Sequence, residues 1–189
     1  MPTRVLLAAL LALLVVLAPA AAATPAQAAG HCRGADTVPD SSSDLSRARS
    51  ATLCLLNQER RERGRRGLSR SRELERSASV YSAQMVEDRF FAHEGPDGRG
   101  IVDRIRTRTD YLVRAASWSV GGNLAWGSGG RATPRQIMRA WMNSPGHKHN
   151  ILTPGFHHVG IGIVLGAPRS VGDAAAATYT THFGRRTRR

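Results

Sequence analysis

Apolar positions recur at helical spacing through the first half of the chain and at strand spacing near its end. Leu45, Ala48, Leu55 and Leu56 lie close to one face of a segment free of Gly and Pro. A helix is therefore expected over 44–63, ended by Gly64 and Gly67. Leu74, Ala78, Tyr81 and Met85 fall at i, i+4, i+7 and i+11, which predicts a second helix over 72–90. Ile101 and Ile105 stand one turn apart and predict a short helix over 101–106. The strongest start signal belongs to a fourth helix. Thr133 can cap it, Pro134 suits its first position, and Gln136 follows three residues after the cap. Its expected buried face is Ile137, Ala140 and Trp141, and Pro145-Gly146 is its expected stop.

Near the C-terminus, Val159, Ile161 and Ile163 alternate with Gly160 and Gly162. One face of this strand carries branched side chains and the other carries none, so a neighbour can approach the glycine face very closely. Two more strands are expected at 178–183 and 120–126. Helices precede strands, which disfavours βαβ winding and predicts an α+β fold with helices covering a small antiparallel sheet. Residues 30–43 read as a flexible polar tail, 60–66 as a solvated arginine-rich helix end, and 185–189 as a basic tail.

The first 29 residues read as an address rather than a fold. Arg4 is followed by the apolar run Val5–Leu17, Pro19 ends the run, and Ala26-Gln27-Ala28 offers small residues for cleavage. This predicts a signal peptide over 1–29, cut near Ala28-Ala29. The run is short for a spanning helix and no second one follows, so an exported protein without a transmembrane anchor is expected. Its one domain is expected over 44–184. An oxidising compartment lets Cys32 and Cys54 pair, tying the tail to the first helix; two free thiols are the alternative.

Composition adds a charge. The 189 residues carry a formal net charge of +13, and Lys148 is the only lysine among 27 basic residues. No Asp or Glu occurs between Tyr111 and Gly172. Such a balance suits an anionic surface, for example a cell-wall polymer. No nucleic-acid motif accompanies it, so nucleic acid is not the expected partner.

Six of the seven histidines lie from His93 onward, and three stretches of this half stand out. The first is Phe91-Ala92-His93 followed by Pro96-Asp97-Gly98. The second is Gly121-Gly122-Asn123. The third runs from Trp141 through Ser144, Pro145, Gly146, His147 and Asn150 to Ile151. Together with Leu55-Leu56-Asn57-Gln58-Glu59-Arg60 and the strands at 159–163 and 179–184, they resemble the bacterial branch of the CAP superfamily. This superfamily groups cysteine-rich secretory, antigen 5 and pathogenesis-related 1 proteins, also called SCP-like domains. The resemblance covers 50–184 and implies an α-β-α sandwich around a small antiparallel sheet.

It further implies a cleft with two histidines, here His93 and His147, where some members hold zinc or another divalent ion beside two acidic residues. The family's G-E-N motif reads Gly121-Gly122-Asn123 in this chain, and the second acidic position falls near Ser144. Two imidazoles without carboxylates make a weak zinc site at best, since stable sites have three or four protein ligands. Gly122→Glu is expected to strengthen it if the backbone there accepts a Cβ. Glu94 and Asp97 flank His93 and are possible substitutes.

The expected function is that of a secreted, non-catalytic CAP-domain protein. It binds a lipid or wall component through its cleft or flanks, with His93, Gly122, Asn123, Ser144, His147 and Asn150 as cleft residues. One alternative is a divalent-metal-assisted peptidase or nuclease built on His93 and His147. The other is an electrostatic binder of anionic wall polymer or DNA with no role for the cleft. Structural readings compete at each position. His93 and His147 can simply satisfy backbone groups, His149 and Asn150 can brace a turn, and His157-His158 suits the surface. His182 is expected to face away from Tyr179, Thr181 and Phe183.

Overall fold

The computed structural model describes residues 32–188. The expected signal peptide over 1–29 lies outside them. Five helices and four strands follow in order: α1 Ser42–Arg61, β1 Ser69–Arg70, α2 Arg72–Glu87, α3 Ile101–Arg108, β2 Ala115–Ser128, α4 Pro134–Asn143, α5 Pro145–Leu152, β3 His158–Leu165 and β4 Ala176–Arg188. The sheet order is β1-β3-β4-β2. α1, α4 and α5 cover one face, and α2 with α3 covers the other. No helix among the described residues is long and apolar enough to cross a membrane.

The apolar stripe of α2 does what its spacing requires: Leu74, Ala78, Tyr81 and Met85 are all fully buried. Each large side chain of this kind stabilises the fold by about 1.5–3 kcal/mol. The stripe lies against the glycine face of β3. A Cβ at Gly160 would sit 2.0 Å from the Glu75 backbone nitrogen, and one at Gly162 2.3 Å from the Ala78 carbonyl carbon. Any side chain there would push the helix off the sheet. On the opposite face Val159, Ile161 and Ile163 join Leu55, Leu56, Trp141, Tyr179 and Phe183 in the larger core.

Several expectations need correction. The sheet is mixed, because β1 runs parallel to β3, pairing Ser69 with His158 and Arg70 with Val159. A two-residue strand leaves no period to read. Of the tail expected over 30–43, the described part from Cys32 on is packed, not free: Cys32 and Ala35 are buried, and Arg135 grips Asp36 with two hydrogen bonds of 2.7 and 2.9 Å. Cys32 and Cys54 form a disulfide, with Cα atoms 5.6 Å apart. The basic tail at 185–188 extends β4, paired with the first residues of β2. On α4, Met138 is buried where Ala140 was expected, and Ala140 is exposed. Pro145 does not stop the helical path. It occupies the first turn of α5 after a break at Ser144. Arg60 is not solvated but fully buried, and its guanidinium donates to the carbonyls of Arg66, Ile151, Thr153 and Phe156.

Candidate functional site

Three segments converge beside the middle of the edge strand β2. The first is the loop between α2 and α3, which carries His93. The Tyr81 hydroxyl donates to the Ala92 carbonyl (2.8 Å), while Arg104 Nη2 and Nη1 donate to the carbonyls of His93 (2.9 Å) and Arg99 (2.6 Å). Gly98 adopts φ +73°, so Pro96-Asp97-Gly98 closes a turn that a side chain at that last position would strain. The Asp97 carboxylate accepts from the Arg99 backbone within this turn.

The second segment is α5, which carries His147. Asn123, fully buried on β2, donates through Nδ2 to the His147 carbonyl (3.0 Å). Asn150 donates through Nδ2 to the Gly122 carbonyl (3.1 Å) and to Asn123 Oδ1 (3.0 Å). These two amides brace the helix against the strand. The structure gives them a positioning role, and neither lines the cavity described below. Ser144 joins α4 to α5, accepts from the Lys148 backbone and makes no side-chain cap. It too stands off the cavity.

The third segment is the pairing of β2 with β4, which sets Gly122 opposite His182. His182 is 1% exposed, and its Nδ1 has no hydrogen-bond partner. A Cβ on Gly122 would lie 2.8 Å from the Thr181 carbonyl oxygen and 3.1 Å from Ile101 Cδ1. The backbone therefore resists Gly122→Glu, and the expected gain in metal binding is withdrawn.

The rings of His93 and His147 face each other with centroids 6.4 Å apart. Next to His93 opens a cavity of about 210 Å³, walled by Glu94, Ile101, Arg104, Gly122, Leu124 and His182. Burial lowers the pKa of His93 below the ordinary imidazole value, with the Arg104 charge adding to the effect. Burial and the neighbouring His93 lower that of His147. Burial, Arg104 and His93 push His182 down to about 3. All three rings are neutral at pH 7 and can each donate and accept one hydrogen bond.

As a metal site the donor set is incomplete. Among the described residues no three of His, Cys, Asp and Glu gather as metal ligands. Two imidazoles fall short of the three or four ligands of a stable zinc site. Glu94 does reach the cavity wall, whereas Asp97 is spent on its own turn. No hydroxyl or thiol nucleophile lines the cavity.

Arg104 is the wall residue that sequence reasoning missed. It sits three residues after Ile101 and one before Ile105, on the apolar stripe of α3. A charge on a buried stripe was the available signal. His158, expected at the surface, is half-buried instead, and its Nδ1 lies 2.8 Å from the Tyr111 hydroxyl.

The family model of the cysteine-rich secretory proteins (CAP) matches residues 53–182. The chain is 30% identical over 141 residues to the uncharacterized protein YkwD of Bacillus subtilis, of which it spans 52%. Its fold is similar to an extracellular SCP-domain protein of Bacillus anthracis, with TM-score 0.60 and 22% identity over 78% of this chain and 44% of that one. It is also similar to an outer surface protein of Borrelia burgdorferi, with TM-score 0.56 and 19% identity over 79% of this chain and 97% of that one. The chain thus spans about half the length of its curated relative.

Proposed function

The chain belongs to the cysteine-rich secretory protein family, and from that premise we propose that it is an exported, non-catalytic protein holding a small ligand in the cleft beside His93 and His147. One observation carries the reading. The tilted rings of His93 and His147 stand 6.4 Å apart, and His93, though not His147, lines the cavity, with glycine where the G-E-N motif of the family has an acid. Such a site presents directional donors and acceptors but no nucleophile, and too few ligands to hold a metal that activates water. Export is supported by the charged, apolar and small-residue order of 1–29 and by the disulfide. The B. anthracis and B. burgdorferi relatives, an extracellular and an outer surface protein, agree with it.

The test is calorimetric titration of the purified protein with a panel of fatty acids, phospholipids and soluble wall fragments. Saturable binding weakened by His93→Ala and His147→Ala is expected. No saturable binding in the panel would overturn the reading, as would chelator-sensitive hydrolysis lost in the double variant. N-terminal sequencing of secreted protein is expected to begin near Ala28-Ala29.

A further inference from the structure

Arg104 places a positive charge in the wall of the cavity with no carboxylate against it. The side chain is 4% exposed. Nη1 and Nη2 each donate to one loop carbonyl, the guanidinium lies 3.5 Å over the Tyr81 ring, and Nε has no partner. Among the described residues it makes no ion pair within 4.0 Å. The nearby acids are otherwise placed. Asp97 accepts from the Arg99 backbone, Asp103 accepts from the Gly100 backbone, and Glu94 is exposed on the wall. His182, 1% exposed, lines the same cavity with its Nδ1 also unpartnered.

A buried donor without an acceptor is costly, and more so when charged. The unpartnered atoms, Arg104 Nε and His182 Nδ1, are themselves closed off from the cavity that their residues line, so what the cavity side lacks is a counter-charge for the guanidinium. The partner that repays a guanidinium best is an oxyanion. Ile101 and Leu124 complete the wall with apolar surface that suits a carbon skeleton. The few free donors fit two carboxylate oxygens better than the three of a phosphate. At about 210 Å³ the cavity is smaller than the roughly 300–1,000 Å³ of sites for drug-sized ligands, so the ligand is small or only its end enters.

We propose that the cavity between His93 and His182 binds the carboxylate of a small organic acid, with Arg104 as its cationic partner and Ile101 and Leu124 against its carbon chain. This rests on the ligand-binding reading above and names the class of ligand.

The experiment is an NMR titration of the ¹⁵N-labelled full chain with sodium propionate, with propionamide as the neutral isostere and with inorganic phosphate. Saturable shifts at His93, Gly122 and the Arg104 side chain are expected with propionate and not with the other two. Arg104→Met should weaken propionate binding about tenfold or more, as loss of a charged hydrogen bond implies. Because that variant can loosen the 93–99 loop, Glu94→Gln serves as a second arm. Removing a like charge from an exposed wall position should tighten binding by about twofold. Equal binding of propionamide, preferential binding of phosphate, or looser binding in Glu94→Gln would overturn the carboxylate assignment and leave the cleft reading standing. Silence toward all three probes while the calorimetric panel still binds would do the same. Silence in both experiments would sink both readings.

Discussion

Arg60 and Arg104 are both buried arginines on helices, and both clamp loop carbonyls, yet they end in different states. Arg60 is fully buried and spends its guanidinium on four carbonyls, joining the end of α1 to the α5–β3 connection. It does not line the cavity beside His93. Arg104 spends two of its five donors, where Arg60 spends four, leaves Nε without a partner and lines a cavity beside His93. Burial lowers the pKa of both. The difference is saturation. A buried cation whose donors are used up is scaffold, and one whose donors are not is prepared for something else.

The largest effect that would break this comparison concerns Arg60. Arg60→Met orphans four carbonyls at roughly 1–3 kcal/mol each, a loss that approaches the whole stability of a domain this size. Chemical denaturation should show little folded protein. Arg60→Lys should recover only part, since one ammonium cannot span four acceptors. If Arg60→Met melts like wild type, saturation is not what marks the scaffold.

The disulfide anchors the same face of the molecule. Cys32→Ser with Cys54→Ser opens a link of sequence separation 22. The cost should be about 3 kcal/mol in the chain-entropy model, read as a lower thermal midpoint with binding retained. Next comes Arg104→Met, expected to cost about 1–2 kcal/mol. It breaks two bonds to one loop and also removes a buried charge. Hydrogen exchange should quicken in 93–99 and not in 151–156. A loss as large as that of Arg60→Met would erase the distinction.

The pH dependence of stability is a separate handle on the cavity side of the comparison. His182 is neutral in the fold, with its pKa pushed from 6.5 to about 3, chiefly by burial. An unfolded chain takes up a proton below pH 6.5 that the folded chain refuses until about pH 3. Its contribution is therefore complete above pH 6.5 and is lost progressively as pH falls through that window. The lowered His93 and His147 act in the same direction. Denaturation midpoints in urea should fall from pH 7 to pH 4, and His182→Gln should flatten the slope. A slope unchanged in that variant would show that other groups carry it.

Much of the scaffold was legible because local chemistry dictates it. The stripe of α2, the Thr133 cap and Pro134 start of α4, and the glycine face of β3 each follow from one segment's own periodicity. The sandwich and the pairing of His93 with His147 came from the resemblance rather than from periodicity. The errors share a cause. Parallel β1, the docked 32–39 segment, the strand at 185–188 and buried Arg60 all depend on partners distant in sequence. An arginine beside other arginines reads as solvated until carbonyls about ninety residues away close around it.

Taken alone, the sequence determined the long helices α1, α2 and α4 and the strand β3, which glycines admit a close neighbour, and that Gly122 brings no acid. Those are properties of single segments, governed by side-chain spacing and backbone freedom. The tertiary structure alone decided which polar groups are saturated. It gave Asn123 and Asn150 to the bracing of α5, filled Arg60, and left Arg104 and His182 short of partners on one cavity wall. Saturation is a sum over contacts from every layer of the fold, and no stretch of chain contains all of its terms.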